Sequence, residues 1–143
     1  MSVMERGVWR AVAVSTLLVV ACRQQPSPAV SVSITSPTEG DTVPGPAVHI
    51  TLGASGIELA PASEQRPGIA HHHLFLDVDP TPSTDTIPAG VTGIIHRGQA
   101  QTDFHWDSVA PGPHRIIAVL GDAWHVPLQP WVADTVHFVV TGP

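Results

Sequence analysis

All fifteen prolines of this 143-residue chain lie at position 26 or later, and twelve glycines add to the interruptions. A proline inside a helix removes a backbone hydrogen bond and clashes with the preceding turn, so long helices are disfavoured beyond that point. Short strands joined by turns fit the punctuation better.

The residues between the breaks alternate with the period of a half-buried strand. Val30, Val32 and Ile34 are separated by Ser31, Ser33 and Thr35. Val48, Ile50 and Leu52 repeat the pattern, as do Thr102, Phe104 and Trp106, then Val136, Phe138 and Val140. His72, Leu74, Leu76 and Val78 share one face of a further strand, with His71, His73, Phe75 and Asp77 on the other. His114 to Leu120 is apolar on both faces, which places it centrally in a sheet. Gly93 to Arg97 supplies a seventh candidate. The expected fold is all-β, an antiparallel immunoglobulin-like β-sandwich of about seven strands over residues 30–143. The inter-sheet disulfide of antibody domains is excluded, because Cys22 is the only cysteine.

The N-terminal end has a different character. Arg6 and Arg10 precede an apolar run from Ala11 to Val20, too short to span a bilayer as a helix. Val19-Val20-Ala21-Cys22 follows, which resembles a bacterial lipobox. Residues 1–21 then read as a lipoprotein signal peptide, Cys22 as the lipidated residue, and residues 22–29 as a tether. Arg23 stands where an aspartate would favour inner-membrane retention. The resemblance to lipoprotein sorting therefore implies an outer-membrane protein of the cell envelope, facing the periplasm. Its partners would be the membrane, through the lipid, and an envelope protein of unknown identity. With no lysine and a net charge of −6, a nucleic-acid partner is not expected.

Chemistry concentrates in three segments between strands: His71-His72-His73, His96 to Asp103, and Gly121 to Pro127. His71 and His73 are two apart on a strand, so both imidazoles project from one face. Two nitrogens so placed can reach one ion, with His96 and His125 as the further ligands. Asp77, Gln101 and Asp122 are the candidates to orient those histidines or, for the carboxylates, to ligate. His72 shares its face with Leu74 and reads as a core-edge residue, while His49, His105, His114 and His137 receive no role. Asp122 can instead serve only its own turn. Trp124 and Trp131 read as cover for the end of the sandwich. There is no G-x-S-x-G and no P-loop, and no catalytic residue is assigned.

Together these segments resemble the bacterial domain of unknown function 4399, whose pattern runs SP-x-x-G-x-x-V, GHHHLLID, IP…H-x-GGGQTE and LPPGxHTLxLxLGDxxHxPHxPP. The counterparts are Ser36 to Val43, Ala70 to Asp77, Ile87-Pro88, His96 to Asp103, Ala110 to His114, and Leu120 to Pro127. The resemblance covers about residues 32–141. This chain departs from it at Ala70, at Gly98-Gln99-Ala100 and at Asp103. It departs also at Leu128, where the pattern has a second histidine, and at Trp131. The resemblance implies a small secreted or lipid-anchored domain and supplies no activity. The expected function is a lipid-anchored envelope binding module that holds Zn(II) or Cu(II) through the histidine cluster. Zn(II) or Cu(II) is favoured over Cu(I), because no methionine follows Cys22. The alternatives are a structural or interaction domain whose histidines only hydrogen-bond, and a metal-dependent hydrolase.

Overall fold

The computed structural model describes residues 27–142. The expected signal peptide, the expected lipidation at Cys22 and the first part of the expected tether lie outside the described residues. Among the described residues nine strands form: β1 (Ser31–Ser36), β2 (Thr42–Pro44), β3 (Val48–Ser55), β4 (Glu58–Leu59), β5 (Ile69–Leu76), β6 (Ile94–Arg97), β7 (Asp103–Trp106), β8 (Gly112–Gly121) and β9 (Ala133–Thr141). Among the described residues there is no helix.

Seven of these strands are the ones read from the sequence, five by alternation, β8 by its two apolar faces and β6 as the further candidate. The other two, β2 and β4, have three and two residues and pair in parallel with β9 and β5, whereas the remaining ladders are antiparallel. Neither is long enough to show a period.

The smaller sheet has the order β1-β3-β7, and the larger runs β2-β9-β8-β5, with β4 and β6 both pairing the far edge of β5. Val32, Ile34, Ile50, Leu52 and Phe104 from the first meet Leu74, Ile116, Ala118, Leu120, Val136 and Phe138 from the second, forming the sandwich core. β8 lies between β9 and β5, as its two apolar faces require.

Around β5 and the adjoining part of β8 the outer face of the larger sheet is also dry, whereas on β9 Thr135, His137 and Val139 are exposed. Phe75, Ile117 and Val119 are covered by Ile87, Val78 and Ile94, and Ile69 packs with Ala60 and Ala123. Loops, not helices, form this third layer. β5 is therefore buried on both faces, and its three histidines are the third to fifth residues of an eight-residue strand, each 0% exposed. They are not at a wet strand mouth.

Candidate metal centre

Alternation along β5 sends Ala70 and Leu74 into the sandwich core and Phe75 to the outer face, so His71 and His73 point outward and His72 inward. Registry supplies the third histidine, because His96 on β6 stands directly opposite His73. The fourth comes from the turn after β8. There Asp122 Oδ1 accepts hydrogen bonds from the backbone N–H groups of Trp124 (2.8 Å) and Val126 (3.0 Å), and His125 N–H donates to the Asp122 carbonyl at 3.0 Å. This ring of bonds holds His125 at φ 66, a left-handed conformation uncommon outside glycine.

The result is a knot of four imidazoles. One nitrogen from each of His71, His73, His96 and His125 lies within 4.8 Å of the others. A tetrahedral zinc ion with bonds of about 2.0–2.1 Å needs nitrogens roughly 3.3 Å apart, so small side-chain rotations close the difference. Both ring nitrogens of His71 and of His73, together with Nε2 of His96, are buried without a hydrogen-bond partner. Each orphaned buried polar atom costs about 1–3 kcal/mol. Five of them amount to a penalty comparable with the net stability of a domain. A cation accepting one lone pair from each ring removes much of that penalty. Since neither nitrogen of His71 or His73 is tied elsewhere, either can turn to an ion.

The backbone around the knot has been cleared for it. A Cβ at Gly121 would lie 2.6 Å from Cε1 and 2.8 Å from Nδ1 of His73. One at Gly98 would lie 2.7 Å from Cε1 of His96. Both positions need glycine for close approach, not for an unusual φ.

The family model described as "Domain of unknown function (DUF4399)" matches residues 50–141. The chain belongs to this family. The match contains all four clustered histidines and both glycines, but begins after the Ser36 to Val43 segment. No curated protein matches the chain. Among solved structures, the chain is similar to fibronectin(III)-like modules of Clostridium thermocellum CbhA, at 18% identity and a TM-score of 0.46, covering 78% of this chain and 97% of that one. It is similar also to the PKD domain from human KIAA0319, at 12% identity and a TM-score of 0.41, covering 79% and 81%. The fold assignment rests on the sheet topology itself.

In this DUF4399 domain the cluster is electrostatically set to stay neutral. Burial, then repulsion from His71, His96 and His125, pushes the His73 imidazole down to about 2. Burial, then His96 and His125, lowers His71 to about 4, with Asp122 pulling weakly the other way. His96 is lowered by burial and by His125. Neutral imidazole is the metal-binding form, so these rings present lone pairs at neutral pH.

The remaining expected site residues fall elsewhere. Asp77 ends β5 at φ 58, four residues past His73, where its carboxylate accepts from His114 Nδ1 at 2.7 Å and from Arg115 N–H at 2.9 Å. It does not orient the cluster, because four residues of strand span about 13 Å. Gln101 does not reach the four histidines either. Its side chain accepts from Gln99 N–H at 3.1 Å, and its carbonyl accepts from His72 Nδ1 at 3.2 Å. Asp122 acts on His125 through the turn backbone. His72 is not at the core edge but wholly inside the sandwich, on the side away from the cluster. Trp124 and Trp131 remain 50% and 40% exposed and do not close the sandwich end. His114, given no role from sequence, links the Asp77 carboxylate to the Ala110 carbonyl, each at 2.7 Å.

Proposed function

We propose that this domain is a metal-binding module of the cell envelope that holds Zn(II) or Cu(II) through His71, His73, His96 and His125. The observation that carries this reading is the set of five buried imidazole nitrogens with no partner, gathered where four rings converge. A purely structural role for these histidines would require hydrogen bonds that those nitrogens do not make. An all-nitrogen donor set suits Zn(II) and Cu(II). A hydrolytic role draws less support: Asp122, the carboxylate beside the cluster, is occupied by the amides of its own turn. The cavity of about 510 Å³ is lined instead by Asp77, Trp106 and His114, past the other end of β5. The lipobox ending at Cys22 supports attachment to the outer membrane, with the domain facing the periplasm.

Calorimetric titration of Zn(II) and Cu(II) into the untagged chain tests the proposal, with His73→Ala beside it. One ion per chain at micromolar affinity or tighter is expected, abolished in the variant. Binding that is absent, or equal in the variant, would return the histidines to structure.

A further inference from the structure

The four imidazoles are not held alike. His71 and His73 are fully buried on β5. The His96 ring stacks on His73 at an interplanar angle of 13° and lies close against Gly98. These three come from two hydrogen-bonded strands, so their spacing is fixed by the ladder. His125 comes from a turn. Its ring meets those of His71, His73 and His96 edge-on, at 69°, 77° and 75°. It lies across the other three and is partly exposed, and neither of its ring nitrogens is among the buried atoms without a partner, whereas Nε2 of His96 is, so it stands on the solvent side of the knot.

We infer that His125 is the exchangeable ligand of the centre, the side chain through which an ion enters and leaves. His71, His73 and His96 are then a fixed platform; this rests on the metal-binding reading above. The turn backbone is not the moving part. The His125 carbonyl accepts from Ile87 N–H at 2.8 Å, and the Asp122 bonds hold the rest of the loop. What remains free is rotation of the side chain, which in partly exposed residues is fast compared with any opening of the sheet. When His125 turns away, the ion keeps three imidazoles and gains an open position toward solvent, the arrangement in which zinc sites accept an outside ligand. The incoming group is a single neutral nitrogen donor of imidazole type, small enough to take the place of the His125 ring. The ion is handed over by replacing one ligand at a time, and the sandwich stays closed.

Co(II) is the probe, because its visible bands report coordination number. The untagged full chain is compared with His125→Gly, His96→Ala and His73→Ala. Glycine accepts the φ of 66 without cost, so the first variant keeps its turn. The expected result is that His125→Gly still binds Co(II), loses it to EDTA about tenfold or more faster than the wild type, and shifts its bands on addition of imidazole. His73→Ala and His96→Ala are expected to lose binding outright. In the wild type, release to EDTA is expected to quicken as imidazole is added. The inference is overturned if His125→Gly loses Co(II) as completely as His73→Ala or its bands ignore imidazole. A wild-type release rate independent of imidazole overturns it as well. A wild type that takes up neither Co(II) nor Zn(II) sinks the metal-binding reading itself, a separate and recognisable failure.

Discussion

The two ends of β5 each hold histidine against a neighbouring element, and they treat it in opposite ways. Within its first five residues, His71 and His73 face other imidazoles and make no ring hydrogen bond, and burial holds both well below the ordinary range. Just past its C-terminal end, His114 sits between the Asp77 carboxylate and the Ala110 carbonyl. Burial alone would lower that imidazole, but the hydrogen bonds to Asp77 and Ala110 outweigh it, and His114 is raised. Both of its nitrogens face oxygen acceptors, an arrangement that favours the imidazolium form and leaves no lone pair free for an ion. The same side chain is a ligand or a strut according to what its nitrogens face.

The sharpest way to break this contrast is acid. A histidine whose folded pKa lies below its unfolded value of about 6.5 binds its proton more readily in the unfolded chain. Stability is therefore fully present above about pH 6.5 and falls as the pH drops toward the folded values. For His71 that window extends down to about 4, and for His73 to about 2. Each such group contributes a slope of about 1.4 kcal/mol per pH unit within its window. Urea denaturation of chelator-treated protein is expected to lose several kcal/mol between pH 6.5 and pH 4.5. His73→Leu should roughly halve the slope. Urea midpoints that stay level over that range would mean the rings have acceptors or water that the packing argument denies them.

A smaller effect tests the space left for the rings. His73 lies between β6 and β8 and stacks on His96, so it cannot yield to a Cβ at Gly121. Overpacking of this kind costs about 1–3 kcal/mol. Gly121→Ala is expected to lower the urea midpoint correspondingly and to weaken Zn(II) binding by about 10–100-fold, as displacing a ligand's support commonly does. Gly98→Ala should act in the same direction, since its Cβ would meet the stacked His96 ring at 2.7 Å. Equal, negligible losses in both would show that the rings are not confined.

Much of this was legible in the chain. Period two identified five strands, the two apolar faces of His114 to Leu120 a sixth, with Gly93 to Arg97 a seventh candidate, and the spacing of His71 and His73 put both on one face. His96 and His125 stood in the right segments to join them. The misplacement of Asp77 has a plain cause: alternation says which face a residue occupies but not how far along the strand it lies, and Asp77 shares a face with His73 at a useless distance. The dryness of the cluster was hidden for another reason. Ile87, Ala60 and Ala123 cover the outer face from loops, where no periodicity reports burial. The part played by Gly98 and Gly121 was hidden too, since nothing local distinguishes a glycine needed for its φ from one needed for an approaching ring.

The mildest perturbation is the most selective. Asp77→Asn removes the carboxylate charge from the His114 brace while leaving an oxygen for Arg115 N–H, and asparagine tolerates the left-handed φ of 58 at this position. A raised imidazole adds stability that is fully present below its unfolded value and is lost as pH rises through the folded one. The variant should therefore lose the most below about pH 6.5 and approach the wild type at alkaline pH, the reverse of the cluster's acid limb. The expected loss is about 0.5–1 kcal/mol, at the low end for a charged hydrogen bond because solvent reaches the carboxylate. Urea midpoints at the two pH values measure it. Zn(II) affinity should not change, since the brace and the cluster share no side chain. A drop in affinity would mean that Asp77 acts on His73 through β5, and the two ends of the strand would then be one site rather than two.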